Sequence, residues 1–297
     1  MLSIPDRGDT EIIVIDDASK NQTKNKLIEL ESVRNNLTLT YNSTNLPKGA
    51  GWARNIGVSL SSGKYLIFAD SDDTFKDNAF SIFDDIIAEM EYDFTIFKAS
   101  STSIDGNKSN RTNFSNFLVE KASEFNKKDL AKVKEIISKI DAPWAKLIRR
   151  EMIVRNGIRF DEIYFSNDVM FNLRVLIEAE NLRVCTKEVY NVLSHSSSLV
   201  NVKSEAMLDD RFDACIRFNK SFSAQIFSGN SISITGGYIL QAKSFGFSKM
   251  IKFIRRSLKN NVRLIYPLHR YFQALFMKLA GVEPLKIHFF VVFGYKP

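Results

Sequence analysis

Short apolar runs alternate with amphipathic segments over the first third of the chain. Residues 11–17 read Glu-Ile-Ile-Val-Ile-Asp-Asp and residues 65–69 read Tyr-Leu-Ile-Phe-Ala, and such continuous runs are typical of strands buried on both faces of a parallel sheet. A shorter strand is predicted at residues 37–41. The segments between them predict helices over residues 24–33, 52–61 and 78–90. This alternation predicts an α/β fold with a mainly parallel sheet flanked by helices.

The middle of the chain has a weaker pattern. Residues 100–116 are rich in Asn, Ser, Thr and Lys, and we expect a loop there. Helices are predicted at residues 129–140 and 167–179, and a strand at residues 188–193. From about residue 205 onward the chain is expected to be largely helical.

Charge is unevenly distributed along the 297 residues, whose net charge is +7. Between Lys243 and Pro297 there are eleven Lys and Arg residues against one acid, Glu283, whereas the preceding part carries 30 basic and 33 acidic side chains. Apolar and basic residues interleave in this part. The pattern fits an amphipathic surface for an anionic membrane, and equally a helical subdomain with a solvated basic face. Nucleic acid is not an expected partner, because no nucleic-acid-binding fold accompanies the charge.

The two cysteines indicate the compartment. Cys185 and Cys215 have no CxxC spacing and no neighbouring histidine, so they predict neither a zinc site nor a disulfide framework. A reducing cytoplasm is therefore expected. No stretch reaches the roughly 18 consecutive apolar residues that a membrane-spanning helix needs, so any association with the inner face of the cytoplasmic membrane would be peripheral.

Carboxylates follow two of the predicted strands. Asp16 and Asp17 end the first run, and residues 70–73, Asp-Ser-Asp-Asp, follow the strand at residues 65–69. In open α/β sheets, ligands bind beyond the carboxyl ends of the strands. Two acidic clusters there repel each other unless a cation or a hydrogen-bond donor lies between them, and a divalent ion that shares substrate phosphates meets this need. The alternative is that these acids are solvated turn residues or helix caps.

Several segments, in their order along the chain, resemble those of the family-2 glycosyltransferases, which have the GT-A fold. A DxD pair alone is weak evidence, but the order and spacing of the whole set are specific to that family. The similarity covers residues 11–198. The matching segments are Glu-Ile-Ile-Val-Ile-Asp-Asp-Ala-Ser from residue 11, Gly-Trp-Ala-Arg-Asn-Ile-Gly from residue 51, the run ending in Phe-Ala-Asp-Ser-Asp-Asp at residue 73, Trp-Ala-Lys-Leu-Ile from residue 144, and Phe-Ser-Asn-Asp-Val-Met-Phe from residue 165.

The resemblance implies roles for the residues that bind the donor. Asp17 matches the carboxylate that contacts the nucleobase, usually uracil, and Arg54 lies in a segment that also approaches the base. Asp70 and Asp72 match the DxD pair, which holds the donor ribose and a divalent metal, Mn²⁺ or Mg²⁺, on the diphosphate; Asp73 could share that task.

The resemblance also implies a catalytic base and an acceptor-side residue. Asp168 matches the acid that removes the acceptor proton, although an acid at the start of the helix predicted at residues 167–179 is also a typical cap. Trp144 matches an aromatic residue near the acceptor, although a core tryptophan is an equally good interpretation. For His195, which follows the strand at residues 188–193, a surface-loop position is favoured over a binding role.

Two departures from the family pattern bear on activity. The residue before the expected base is Asn167, where relatives usually carry Glu; Asn keeps a hydrogen-bonding group without the charge. Relatives also begin with a further strand and helix, and the absent strand would lie between the strands at residues 11–17 and 65–69. We therefore expect an N-terminally truncated GT-A-like domain, whose edges are unpaired at that place.

These observations lead to an interpretation of the whole chain. Residues 1–198 are expected to form the glycosyltransferase domain, and residues 199–297 a helical, basic region for which membrane association is one of the two interpretations. The expected activity is inverting transfer of one hexose or N-acetylhexosamine from a nucleotide sugar, usually a UDP-sugar, to a glycan or lipid-linked acceptor in surface polysaccharide synthesis. The Gln-x-x-Arg-Trp signature of processive synthases is absent. The alternative is a weak or inactive nucleotide-sugar-binding relic.

Overall fold

The computed structural model describes residues 3–44, 46–195, 204–225, 235–262 and 264. These residues divide into two compact units. The first unit holds the described residues up to Ile137 together with Ala142–His195, and the second holds Ser138–Asp141 with the described residues that follow His195.

The first unit begins with a small parallel sheet. Strand β1 (Ile12–Asp16) and strand β2 (Leu37–Tyr41) are joined by helix α1 (Asn21–Val33) and pair in register, with Ile12 opposite Leu37. This strand–helix–strand unit agrees with the strand, helix and strand predicted at residues 11–17, 24–33 and 37–41, and β1 ends at Asp16, next to Asp17.

A second, five-stranded sheet carries most of the core of this unit. Its order is β3-β6-β5-β7-β4, and the longest ladder, between β5 and β7, is parallel, whereas the shorter pairings are antiparallel. The α/β class is therefore confirmed, with a mixed sheet. The strands are β3 (Tyr65–Leu66), β4 (Thr74–Phe75), β5 (Phe94–Ser103), β6 (Lys146–Arg149) and β7 (Leu182–Ser194).

Helices cover the two sheets. Helix α3 (Ala79–Glu89) buries Ile82, Phe83 and Ile86 in an apolar cluster with β5 and β7, and the ring of Phe83 meets that of Phe97 edge-on at 5.3 Å. The further helices of this unit are α2 (Ala50–Leu60), α4 (Asn113–Ser123), α5 (Leu130–Ile137), α6 (Arg150–Arg155) and α7 (Val169–Glu178).

The loop expected at residues 100–116 is wrong in its first part. Strand β5 continues to Ser103 and pairs with the end of β7, because a backbone ladder does not require apolar side chains. The polar residues in this stretch bond across the ladder: Ser100 Oγ donates to Asn191 Oδ1, and Asn191 Nδ2 donates to Thr102 Oγ1. Helix α4 then begins at Asn113.

Strands β1 and β3 do not belong to one sheet. Within the described part of the chain, β1 pairs with β2 alone and β3 pairs with β6 alone, so each presents one unpaired edge. Strand β3 is also shorter than the run at residues 65–69 predicts, since the chain leaves the sheet after Leu66. Phe68 then packs edge-on against the rings of Phe160 and Phe171, at 5.1 and 5.5 Å.

After His195, the described part of the second unit is mainly helical. It contains α8 (Glu205–Gln225), α9 (Thr235–Ala242), a 3₁₀ turn at Lys243–Phe245 and α10 (Phe247–Lys259). None of the helices in the described ranges combines the length and apolar character needed to cross a bilayer. The apolar stretches near residues 275–279 and 289–293, and the histidines at 269 and 288, lie outside the described residues.

Candidate active site

The acidic loop at residues 70–73 is fastened to strand β7 by one tyrosine. The backbone N–H of Asp70 donates to the hydroxyl of Tyr190 at 2.8 Å, and the side chain of Asp73 lies near the same hydroxyl. Tyr190 is buried, and its ring lies parallel to that of Trp144, with centroids 5.7 Å apart. Burial and the nearby carboxylates Asp73 and Asp70 raise the pKa of this hydroxyl, so Tyr190 stays neutral.

Asp73 is the buried member of the loop. Its Oδ1 accepts a hydrogen bond from the backbone N–H of Leu193 at 2.7 Å. Burial, assisted by the charges of Asp70 and Asp72, raises the pKa of Asp73 to about 6, against the bond from Leu193, which lowers it. Asp73 therefore joins the acidic loop to the end of β7 through its Oδ1.

Asp72 points to a histidine at the end of β7. Its Oδ2 lies 2.8 Å from Nε2 of His195, and the two side chains are 44% and 23% exposed. A surface-loop position was favoured for His195, and its contact with Asp72 was not predicted. The reason is that the length of β7 could not be read from the sequence. This pair presents one carboxylate and one imidazole to the solvent-facing side of the loop.

Arg54 connects the acidic loop with the segment before helix α7. Its Nη2 donates to Asp70 Oδ1 at 2.7 Å and its Nη1 donates to Asn167 Oδ1 at 2.9 Å. The guanidinium carbon also lies 5.4 Å from the centroid of the Phe160 ring. In this structure Arg54 is thus bound to Asp70, and the amide oxygen of Asn167 supplies the second acceptor.

Gly51 allows helix α2 to lie close to residues 161–167. A Cβ on Gly51 would lie 2.1 Å from the carbonyl oxygen of Asp161 and 3.0 Å from Cβ of Asn167, so no side chain fits there. One turn later, buried Asn55 bonds both backbone groups of Phe160, donating to its oxygen at 3.0 Å and accepting from its nitrogen at 2.9 Å. These contacts explain the Gly-x-x-x-Asn spacing of the motif at residues 51–57.

Asp168 stands at the N-cap position of α7. Its side chain makes no capping hydrogen bond to the helix, so what remains of the helix-cap interpretation is the favourable position of an acid at the helix N-terminus. The carbonyl of Asp168 accepts from Asn172 Nδ2 at 2.9 Å, and Asn172 Oδ1 accepts from the buried ammonium of Lys146 at 2.6 Å. Lys146 also donates to the carbonyl of Ala142 at 2.6 Å. The start of α7 is therefore held by a buried polar network, which sequence reasoning missed although a lysine within an apolar strand signals such a partner.

Asp17 fastens the segment that leads into α2. Its carboxylate accepts from Asn42 Nδ2 at 2.7 Å, from the backbone N–H of Lys48 at 2.9 Å and from that of Gly49 at 2.7 Å. Nearly all of the acceptor capacity of this carboxylate is used by these bonds. Ala18, the next residue, has a positive φ of 62°, as does Ser166 before Asn167, at 57°. Such backbone conformations in residues other than glycine are often held at functional sites.

The chain's residues fit a divalent metal that is shared with a substrate. Within the described ranges, no three His, Cys, Asp or Glu side chains converge on a metal-sized site, and Asp72 and His195 are the candidate protein ligands. Mg²⁺ and Mn²⁺ are commonly held by one or two side chains together with substrate phosphates and water. A diphosphate would complete this set, whereas a metal held by protein groups alone would lack ligands.

The α/β fold, with its acidic loop at the end of a sheet strand, is that of a GT-A-type glycosyltransferase. A family model described as "Glycosyl transferase family 2" matches residues 2–156, more than half of the 297-residue chain. The chain belongs to this family and is a glycosyltransferase.

Named relatives agree with this assignment. Glycosyltransferase GlyG of Streptococcus pneumoniae is 25% identical over 232 residues, which cover 75% of this chain and 73% of GlyG. The cholesterol galactosyltransferase of Borreliella burgdorferi is 24% identical over 208 residues, which cover 64% of this chain and 54% of that enzyme.

A solved structure shows the same fold. TarS of S. aureus, in a crystal structure with UDP-GlcNAc, superposes with a TM-score of 0.57 at 18% identity, over 82% of this chain and 66% of the TarS chain. The expected GT-A-like fold is therefore confirmed.

Proposed function

We propose that this glycosyltransferase moves one hexose or N-acetylhexosamine from a UDP-sugar to a glycan or lipid-linked acceptor in surface polysaccharide assembly. The observation that carries the proposal is one continuous set of contacts. Asp72 and Asp70 belong to the same loop, Arg54 bonds Asp70 and Asn167, and Asn167 immediately precedes Asp168. These contacts support a proposal in which the acidic loop holds the donor and Asp168 acts as the base beside it. The complex of TarS with UDP-GlcNAc supports a uridine nucleotide as donor.

The donor side of the site is assigned to residues around the acidic loop. Asp72 and His195 would hold Mn²⁺ or Mg²⁺, which supplies positive charge to stabilise the departing diphosphate. Asp70, oriented by Arg54 and by its N–H bond to Tyr190, is proposed to bind the donor ribose. Asp17 is proposed to shape the nucleobase pocket by fixing the backbone of Lys48 and Gly49.

The acceptor side is assigned to Asp168 and Trp144. Asp168 is proposed to take the proton of the acceptor hydroxyl as its oxygen forms a bond to the anomeric carbon. The bond from that carbon to the diphosphate oxygen breaks, the nucleoside diphosphate leaves with the electron pair, and the configuration inverts. Trp144 is proposed to line the acceptor path, because its ring lies on Tyr190, which bonds Asp70.

The proposed location is the cytoplasm, at the inner face of the cytoplasmic membrane. Both cysteines, Cys185 and Cys215, are free thiols in the structure, which suits a reducing compartment. A lipid-linked acceptor would be reached from a membrane-bound position.

The test is turnover of a panel of UDP-sugars, followed as release of UDP with and without candidate acceptors, by the wild type and by Asp168→Asn. We expect UDP release with one donor, and about 10²–10⁴-fold slower release by Asp168→Asn with unchanged UDP affinity. Equal rates for the two proteins would remove Asp168 from the mechanism. UDP binding without turnover of any donor and acceptor pair would instead identify a nucleotide-sugar-binding protein.

A further inference from the structure

Helix α10 of the second unit has one side that packs within its own unit. Phe253 and Ser257 are buried, and the ring of Phe253 stacks on Phe212 of α8 with centroids 3.8 Å apart. The opposite side carries large apolar residues in contact with solvent: Phe247 is 65% exposed and Leu258 is 59% exposed. Isolated exposed apolar residues are ordinary, so their neighbours decide whether these two form a surface.

The five basic residues of α10 also divide between the packed side and the outward side of the helix. On the packed side, Lys249 pairs with Glu205 and Asp209 of α8, at 2.7 and 2.8 Å, and Arg256 pairs with Asp213 at 2.6 Å. Acids of α8 thus neutralise the cations of the packed side.

The outward cations are left uncompensated. Lys252, Arg255 and Lys259 are exposed, and they form no ion pair or hydrogen bond with any residue in the described part of the chain. Helix α10 itself contains no acidic residue.

Helical geometry places these residues in two adjacent stripes. At 3.6 residues per turn, Phe247, Ile251 and Leu258 fall on one line along the helix, and Lys252, Arg255 and Lys259 fall on the line beside it. An apolar stripe beside a basic stripe suits a helix that lies in the plane of a bilayer surface, with its apolar side chains among the acyl chains and its cations at the headgroups.

We propose that this outward face of α10 (Phe247, Ile251, Lys252, Arg255, Leu258 and Lys259) binds an anionic lipid membrane. The charge of the face selects anionic headgroups, and the exposed apolar stripe selects a partner with an apolar interior. A nucleic acid would match the cations but leave Phe247 and Leu258 in water, and an acidic protein surface would do the same. The proposal concerns docking and does not depend on which sugar is transferred.

The test is flotation of the full chain with vesicles of phosphatidylcholine alone and of equal parts phosphatidylcholine and phosphatidylglycerol. One variant carries Lys252→Gln, Arg255→Gln and Lys259→Gln. The control carries Lys26→Gln, Lys108→Gln and Lys128→Gln, three exposed lysines of the first unit with the same change in net charge.

Since each basic residue contributes about fivefold to binding of an anionic surface, the first variant should lose about 10²-fold in partitioning and the control should lose little. A second variant, Phe247→Ser with Leu258→Ser, should also bind more weakly.

Several results would overturn the proposal. Equal losses in the α10 variant and the control would mean that net charge alone drives binding. Equal binding to neutral vesicles would remove the basic stripe from the account. Tight binding of single-stranded RNA that the α10 triple variant loses, with no vesicle binding, would assign the face to nucleic acid. Unchanged vesicle binding together with a lower melting temperature of the Ser variant would mean that another part of the chain covers the face. UDP binding by each variant, measured in parallel, keeps these outcomes separate from failure of the donor site.

Discussion

Nε2 of His195 lies 2.8 Å from Oδ2 of Asp72, although the two residues are separated by 123 positions in the chain. Strand β7 makes this contact possible, because its last residues run past the acidic loop and the backbone of Leu193 bonds Asp73. The neighbouring acids Asp73 and Asp72 are therefore tied to Leu193, within β7, and to His195, directly after it. The pair presents mixed nitrogen and oxygen donors where the family's metal is expected.

His195→Asp is predicted to change the preference for the metal. Imidazole favours Mn²⁺ over Mg²⁺ more than a carboxylate does, so the variant should bind UDP relatively better with Mg²⁺ than the wild type. UDP affinity with each metal, measured by calorimetry, gives the ratio. His195→Ala serves as the comparison and should weaken binding with both metals. If neither variant changes UDP affinity with either metal, His195 is not a ligand.

Gly51→Ala is predicted to lower stability by about 1–3 kcal/mol, because its Cβ would lie 2.1 Å from the Asp161 carbonyl and backbone would have to move. The matched control is Gly57→Ala in the same helix, where a Cβ meets no atom within 4 Å. That substitution should raise stability by about 0.5–1 kcal/mol through the better helix propensity of alanine. Urea unfolding measures both, and equal effects would contradict the close approach of α2 to residues 161–167.

Asn167→Leu is predicted to destabilise the fold by about 1–3 kcal/mol, since it leaves Nη1 of the largely buried Arg54 without its acceptor. Asn167→Glu should be tolerated, because a carboxylate oxygen can accept the same bond. Urea unfolding and UDP-release rates of both variants test this. A Leu variant as stable and as active as the Glu variant would show that the Arg54–Asn167 bond is of no consequence.

Asp73→Asn is predicted to remove a pH dependence of stability. The folded-state pKa of about 6 lies above the ordinary value of 3.8, so the folded state retains a proton that the unfolded chain has lost between these values. This contribution to stability is present below the ordinary value and is lost as the pH rises through about 6. The stability of Asp73→Asn relative to the wild type should therefore increase over that range.

Urea unfolding of metal-free protein at a series of pH values measures this difference for Asp73→Asn. Asp77→Asn, at an exposed neighbouring acid, is the control and should follow the wild type. Parallel profiles for Asp73→Asn and the wild type would contradict the assigned cause.

The local pattern of apolar and polar residues predicted some secondary-structure elements and missed others. Strand β2 coincides with the predicted residues 37–41, because its alternation is visible within five positions. Strand β5 escaped prediction, since its second half is polar and is stabilised by pairing with β7, far away in sequence. The acids of the site were evident from their position after apolar runs. Their partners were not, because Tyr190, His195 and Arg54 reach Asp70 and Asp72 only through the tertiary fold.

The donor site is tested most directly by calorimetric titration of UDP into the purified chain, with and without Mn²⁺, beside Asp72→Ala. We predict binding that requires Mn²⁺ and that Asp72→Ala abolishes while the variant remains folded. UDP binding of equal strength without metal, or undiminished in Asp72→Ala, would contradict a metal-bridged donor site at Asp72 and His195.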